Sequence, residues 1–207
     1  MYQFNYQKAG PADEATSAVA AADDGRFLAG GMTLIPTLKQ RLAQPSDLVD
    51  LADIGDLVGI EDGGDSVTIK AMTRHVDVAN SDVVQSKIPA LAGLADNIGD
   101  PQVRNRGTIG GSVANNDPAA DYPAAVLALN ATVITNQREI AAESFFDGMF
   151  TTVLEEGELI TAVRFPVPEK AAYTKFPNPA SRYALVGVMV AQTGGETRVA
   201  VTGAGQD

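Results

Sequence analysis

Two short segments place adjacent glycines beside hydroxyl residues: Ala29-Gly30-Gly31-Met32-Thr33 and Thr108-Ile109-Gly110-Gly111-Ser112. Adjacent glycines let successive backbone N–H groups point into one concavity, and a neighbouring hydroxyl adds a donor. That combination suits a diphosphate when no metal or lysine cluster is at hand. Two such loops can grip one diphosphate from both sides, or each can be an ordinary turn. Behind the first, Leu34, Leu38 and Leu42 recur at helical spacing. Thr33 is expected to cap that helix, whose positive end contributes about 0.3–1 kcal/mol toward an anion. After the second, the run from Asn115 through Asn116, Asp117 and Asp121 to Pro123 offers amides and carboxylates to the hydroxyls of a sugar or polyol. The same residue types build Asx turns and helix caps, and Asp121 ahead of Tyr122-Pro123 suits an N-cap.

Other chemistries are excluded more firmly. No G-x-G-x-x-G follows a strand and no G-x-x-x-x-G-K-[ST] occurs, so neither a Rossmann site nor a P-loop is indicated. The chain has no cysteine and one histidine, His75. Thiolate nucleophiles, iron–sulfur ligation and a histidine zinc site within it are therefore not expected, and His75 reads as a structural or surface residue. Any redox chemistry must come from a bound organic cofactor. The net charge of −11 opposes nucleic acid and anionic membranes as main partners. At a Debye length of roughly 8 Å, remote surface charge does not prevent a local anion site. The start, MYQFNYQKAG, lacks a basic segment followed by an apolar run, and no stretch approaches the roughly 18 apolar residues of a membrane span. The expected location is the cytoplasm, which makes Asn130-Ala131-Thr132 a chance match to a glycosylation acceptor.

The elements that must position these residues follow from the patterning, and 45% hydrophobic with 20% charged residues is ordinary globular composition. Residues 13–22 read as a helix with acids in its first turn, and 26–29 as a strand closed by Gly30-Gly31. A helix over 33–42, a strand over 48–51, and a hairpin pairing 58–60 with 67–69 follow. Residues 73–78 and 88–98 read as helices. Residues 99–123, crowded with Gly, Asn, Asp and Pro, read as a long structured loop. A helix over 124–129, a hairpin around Asn136-Gln137, and strands at 159–165, 172–176, 183–191 and 197–201 complete the chain. The expected fold is α+β in two lobes, a small α/β lobe over 1–72 and a larger one with an antiparallel sheet over 73–207, tightly apposed.

The segment Ala29 to Leu34, together with Arg106 through Gly110-Gly111-Ser112 to Pro123, resembles the FAD-binding medium subunit of the molybdenum hydroxylases, the group of aerobic carbon monoxide dehydrogenase and the xanthine dehydrogenases. Phe4-Asn5-Tyr6, Gly157-Glu158-Leu159-Ile160 and Tyr183 to Gly187 fit the same pattern, so the resemblance covers nearly the whole chain. Two long motifs in order, about 75 residues apart, are far more specific than one glycine signature. The resemblance implies FAD between the two lobes, its pyrophosphate between the two Gly-Gly loops. It nominates Leu28, Ala29, Gly30, Gly31, Met32, Thr33 and Leu34 on one side. On the other it nominates Gly107, Thr108, Gly110, Gly111, Ser112, Asn115 and Asp121. Leu159 and Ile160 would line the flavin, Lys175 would sit beside the ring system or the diphosphate, and Tyr183 near the isoalloxazine.

Met32 stands where relatives often have Gln or Thr, and Asn115-Asn116 replaces an Ala-His or His-Ala pair. The resemblance implies a small C-terminal domain beyond the equivalent of Val201 to Gly205, near which this sequence ends. On residue type alone, Leu159 and Ile160 also suit a core strand, Lys175 a solvated surface, and Tyr183 the edge of the core. The implied function is passage of electrons from a partner's metal centres to an external acceptor, with a [2Fe-2S] small subunit and a molybdopterin-containing large subunit as partners. The rival reading is a non-catalytic nucleotide-binding or assembly module that uses the same loops.

Overall fold

An alanine-rich run with Asp13 and Glu14 in its first turn forms α1 (Ala12–Ala21), between the parallel strands β1 (Asn5–Lys8) and β2 (Gly25–Leu28). In this computed structural model, which describes residues 1–205, α2 (Leu34–Lys39) leads on to β3 (Asp47–Asp50). The three strands form a parallel sheet ordered β1-β3-β2. Ala15 and Val19 of α1 pack with Val49, Leu51, Ile54 and Leu57 into the core of the first lobe. Met72 and Leu159 reach that core from the rest of the chain.

The second lobe contains β4 (Ile60–Asp62), β5 (Ser66–Lys70), and the helices α3 (His75–Asn80), α4 (Asp82–Lys87), α5 (Pro89–Asp96), α6 (Pro101–Arg104), α7 (Ile109–Asn115) and α8 (Asp121–Ala128). Then follow β6 (Thr132–Thr135), β7 (Glu139–Ala141), β8 (Ile160–Pro166), β9 (Lys170–Pro177), β10 (Ala184–Thr193) and β11 (Glu196–Thr202). They build two antiparallel sheets, one ordered β4-β5-β8-β6-β7 and one β11-β10-β9. Val67, Ile69, Val133, Val163 and Phe165 of the five-stranded sheet meet Leu91, Leu94, Ile109 and Val126 of the helices in the main core. The α+β, two-lobed class is thus the one expected.

Three features depart from the sequence reading. The hairpin pairing 58–60 with 67–69 is expected within a first lobe ending at 72, but β5 also pairs with β8, Val67 opposite Phe165 and Ile69 opposite Val163. Those apolar residues alternate inward and can be covered only by the larger core, so the first sheet ends with β3 and the chain re-enters the first lobe's core at Met72. The expected long loop over 99–123 is largely helical. Asp100 caps α6 by accepting the Val103 amide at 2.9 Å, and Thr108 caps α7 by accepting the Gly111 amide at 3.2 Å. Its glycines erase the apolar period that would have marked a helix. Finally, Asp121 is the first residue of α8, whose cap is Ala120 without a side-chain bond.

Among the described residues, no helix is long and apolar enough to cross a membrane.

Candidate functional site

The two glycine segments meet. A Cβ on Gly30 would stand 2.1 Å from the carbonyl oxygen of Arg106 and 2.8 Å from Gly107 Cα, so only glycine lets the first loop lie against the second. Gly31 has φ +73°, a left-handed conformation that turns the chain into α2. Among the described residues, the N–H groups of Gly30, Gly31, Met32 and Thr33 have no backbone acceptor. Thr33 stands at the cap position without a side-chain cap bond, contrary to the expected capping, because its backbone is itself in the helical region.

The second segment is built the opposite way. Ile109 donates to Thr73 O at 3.1 Å, Gly110 to Ala71 O at 2.8 Å, and Gly111 to the Thr108 hydroxyl. Its amides are therefore engaged by the fold and do not form the second N–H concavity that the sequence suggested. A Cβ on Gly110 would lie 2.6 Å from Ala71 Cβ and 2.8 Å from Ala71 O, so that glycine serves close packing of α7 against the chain after β5.

Between the segments opens a cleft of about 480 Å³, within the usual range for small-molecule and cofactor sites. Of the nominated residues, Ala29 through Leu34, Gly107, Thr108, Gly110, Gly111, Ser112, Asn115, Asp121, Leu159, Ile160 and Tyr183 line it. Leu28, the last residue of β2, and Lys175 do not. Phe27, Met72, Ile98 and Val103 also line the cleft, as does His75, expected only as a structural or surface residue; apolar residues and a lone histidine carry no pattern that marks a site.

Asp121 is the buried acid of the cleft. Its carboxylate accepts from the Tyr173 hydroxyl and from Lys175 Nζ at 3.0 Å, tying α8 to β9. Lys175 is 5% exposed and also donates to Asn97 O at 2.9 Å, so it acts on the cleft through Asp121. Burial pushes the Asp121 carboxyl above its ordinary value, and the bonds from Tyr173 and Lys175 oppose that rise. Asp117 makes the expected Asx turn, accepting the Ala119 amide at 2.9 Å.

Leu159 and Ile160 form the apolar wall, and a polar network fixes them. The buried Glu158 carboxylate accepts from Arg138 Nε and Nη2, both at 2.9 Å, from Thr135 Oγ1 at 2.7 Å, and from the Glu155 amide at 2.8 Å. These bonds, the Arg138 guanidinium first, hold its pKa down to about 2. The Leu159 amide donates to Asn136 Oδ1 at 2.8 Å, pinning the wall to the β6–β7 turn. Tyr183 stands at the rim, 43% exposed; partial burial and the Asp117 carboxylate raise its phenol pKa.

Residues 2–168 match the family described as "FAD binding domain in molybdopterin dehydrogenase". The chain is 40% identical over 195 residues to the glyceraldehyde dehydrogenase medium chain of Sulfolobus acidocaldarius, covering 91% of this chain and 69% of that one. It is 41% identical to the carbon monoxide dehydrogenase medium chain of Afipia carboxidovorans, covering 88% of this chain and 66% of that one. The chain thus spans about two thirds of the length of these relatives. Among solved structures, a Cu,Mo-CO dehydrogenase in its cyanide-inactivated form superposes with TM-score 0.89 at 39% identity, over 96% of this chain and 74% of that one. Quinoline 2-oxidoreductase from Pseudomonas putida 86 superposes with TM-score 0.92 at 30% identity, over 99% of this chain and 75% of that one. The chain belongs to the FAD-binding medium subunits of the molybdenum-hydroxylase-type dehydrogenases, a family whose cofactor is FAD.

Proposed function

We propose that the chain is the electron-relay subunit of a molybdenum-hydroxylase-type dehydrogenase. It would hold FAD without a covalent link, take electrons from the iron–sulfur centres of a small partner subunit, and pass them to an external acceptor. A molybdopterin-containing large subunit would oxidise the substrate. The observation that carries this reading is the meeting of both glycine segments on one cleft, with Gly30 packed on the Arg106–Gly107 backbone.

The residues present fit FAD. The amides of residues 30–33 have no backbone acceptor among the described residues and suit the diphosphate. The Asp121 carboxylate suits the hydroxyls of the ribityl chain or the ribose, with Lys175 holding it in place. Leu159 and Ile160 offer an apolar surface to the ring system, and Tyr183 closes its rim. When bound, FAD supplies the redox chemistry, while these residues bind, orient and shield it. With no cysteine, the chain cannot ligate an iron–sulfur cluster through thiolates, so a relay needs another polypeptide as donor. The names of the relatives, medium chains of dehydrogenases, support that division of labour.

The test is anaerobic. The chain reconstituted with FAD is mixed in turn with carbon monoxide, hypoxanthine and glyceraldehyde while flavin absorbance is followed. No bleaching is expected until large and small subunits are added. Bleaching of the lone flavoprotein by any of the three would refute the relay, because it would require an oxidising site these residues do not supply.

A further inference from the structure

We propose that His75, through Nε2–H, donates a hydrogen bond to the flavin nucleotide at the Gly107 wall of the cleft. The inference rests on the cofactor reading above and adds a residue to it. His75 opens α3, where two main-chain links join that helix to the second glycine segment. Its amide donates to Gly107 O at 3.0 Å, and Arg74 bridges Thr108. These links set the imidazole edge-on to Gly107, where a Cβ would come within 2.5 Å of Nε2 and 2.8 Å of Cδ2. The missing side chain at 107 is what leaves that edge open, and both residues line the cleft.

The other edge is sealed. His75 is 4% exposed, its ring packs against Tyr122 at 5.4 Å between centroids, and Nδ1 is buried with no hydrogen-bond partner among the described residues. A neutral imidazole has one N–H to place. Burying an unpaired donor is the rarer and costlier arrangement, so the proton belongs on Nε2 and the bare lone pair on Nδ1. The ring is neutral at physiological pH, since burial, with the Arg104 charge second, lowers its pKa to about 4. The cleft is therefore offered a neutral donor, suited to a carbonyl, ring nitrogen or phosphate oxygen of the nucleotide. A role in packing alone would be served as well by phenylalanine, which carries no unpaired nitrogen.

His75 is the only histidine in the chain, so ¹⁵N-histidine labelling reports this one ring. The spectrum of the protein without flavin should show protonated Nε2 and unprotonated Nδ1, and adding FAD should move Nε2 far more than Nδ1. In FAD titrations at pH 7, His75→Phe should raise Kd about 5- to 10-fold, the loss expected for one hydrogen bond. The melting temperature of that variant without flavin should equal or exceed the wild type's. His75→Gln, which returns an amide N–H to the same side, should bind within about twofold of wild type. A protonated Nδ1, an Nε2 signal indifferent to FAD, or equal weakening by Phe and Gln would each overturn the inference. Failure of the wild type to hold FAD would overturn the cofactor reading along with it, whereas wild-type binding with an unmoved Nε2 would overturn only the role of His75.

Discussion

The Glu158 network gives a prediction whose size follows from the structure. The Glu158 side chain is fully buried next to Leu159 of the apolar wall, and its pKa is about 2 against an ordinary 4.5. At about 1.4 kcal/mol per pKa unit, that depression corresponds to about 3 kcal/mol of stability. A carboxyl depressed by folding contributes fully above its unfolded pKa, and the contribution is lost as pH falls from about 4.5 to about 2. Glu158→Gln keeps the volume but turns an NH2 group toward Arg138 and removes the charge. It should lower unfolding free energy by about 2–3 kcal/mol at pH 7, the lower end allowing for the half-exposed Arg138. Urea denaturation of wild type and variant at pH 7, 5, 4 and 2.5 tests this, with a gap that closes toward pH 2.5. His75, with its pKa lowered to about 4, weakens both proteins as pH falls from about 6.5 through 4, and so cancels in the difference. A gap below about 0.5 kcal/mol at pH 7, or one that persists undiminished at pH 2.5, would show that the network does not carry the stability assigned to it.

The remaining predictions concern the cleft. Gly30→Ala must push its Cβ away from Arg106 O, parting the two loops by about 1 Å; it should cost about 1–3 kcal/mol of stability and weaken FAD binding at least tenfold by fluorescence titration. Gly110→Val should sharply lower the melting temperature of the flavin-free chain, because its new side chain meets the Ala71 backbone; an unchanged melting temperature would contradict the packing role. Asp121→Ala strands the buried Lys175 ammonium and should cost about 3–5 kcal/mol in denaturant unfolding. Adding Lys175→Met should restore most of that stability without restoring FAD affinity, which separates the structural ion pair from the ligand contact.

What was legible in the sequence is what residue type fixes locally. Gly30-Gly31 announces a left-handed turn with close backbone approach, Gly110-Gly111 announces close approach of a helix to its neighbour, and the Asx-rich run announces Asp117 and Asp121. What was not legible depends on distant partners. β1 carries no alternation because all four residues are exposed at the edge of its sheet, and only its ladder with β3 makes it a strand. The Asp121–Lys175 pair links residues far apart in the chain, and no spacing rule reaches from α8 across β6, β7 and β8 to β9. The engaged amides of the second segment depend on the carbonyls of Ala71 and Thr73, supplied where β5 ends.

The same dipeptide therefore does opposite work in its two settings. Gly30 and Gly31 leave a row of amides without backbone acceptors, whereas Gly110 and Gly111 spend theirs on α7 and on Ala71. What the second segment keeps for a ligand is hydroxyl chemistry. Thr108 Oγ1 accepts from Gly111 but retains its own proton, and the Ser112 hydroxyl, on the cleft wall, makes no hydrogen bond among the described residues. A diphosphate lying between the segments would be met by amides on one side and hydroxyls on the other. Substitutions that alter the backbone should then act through residues 30–33, and removal of a side-chain hydroxyl through Thr108 and Ser112.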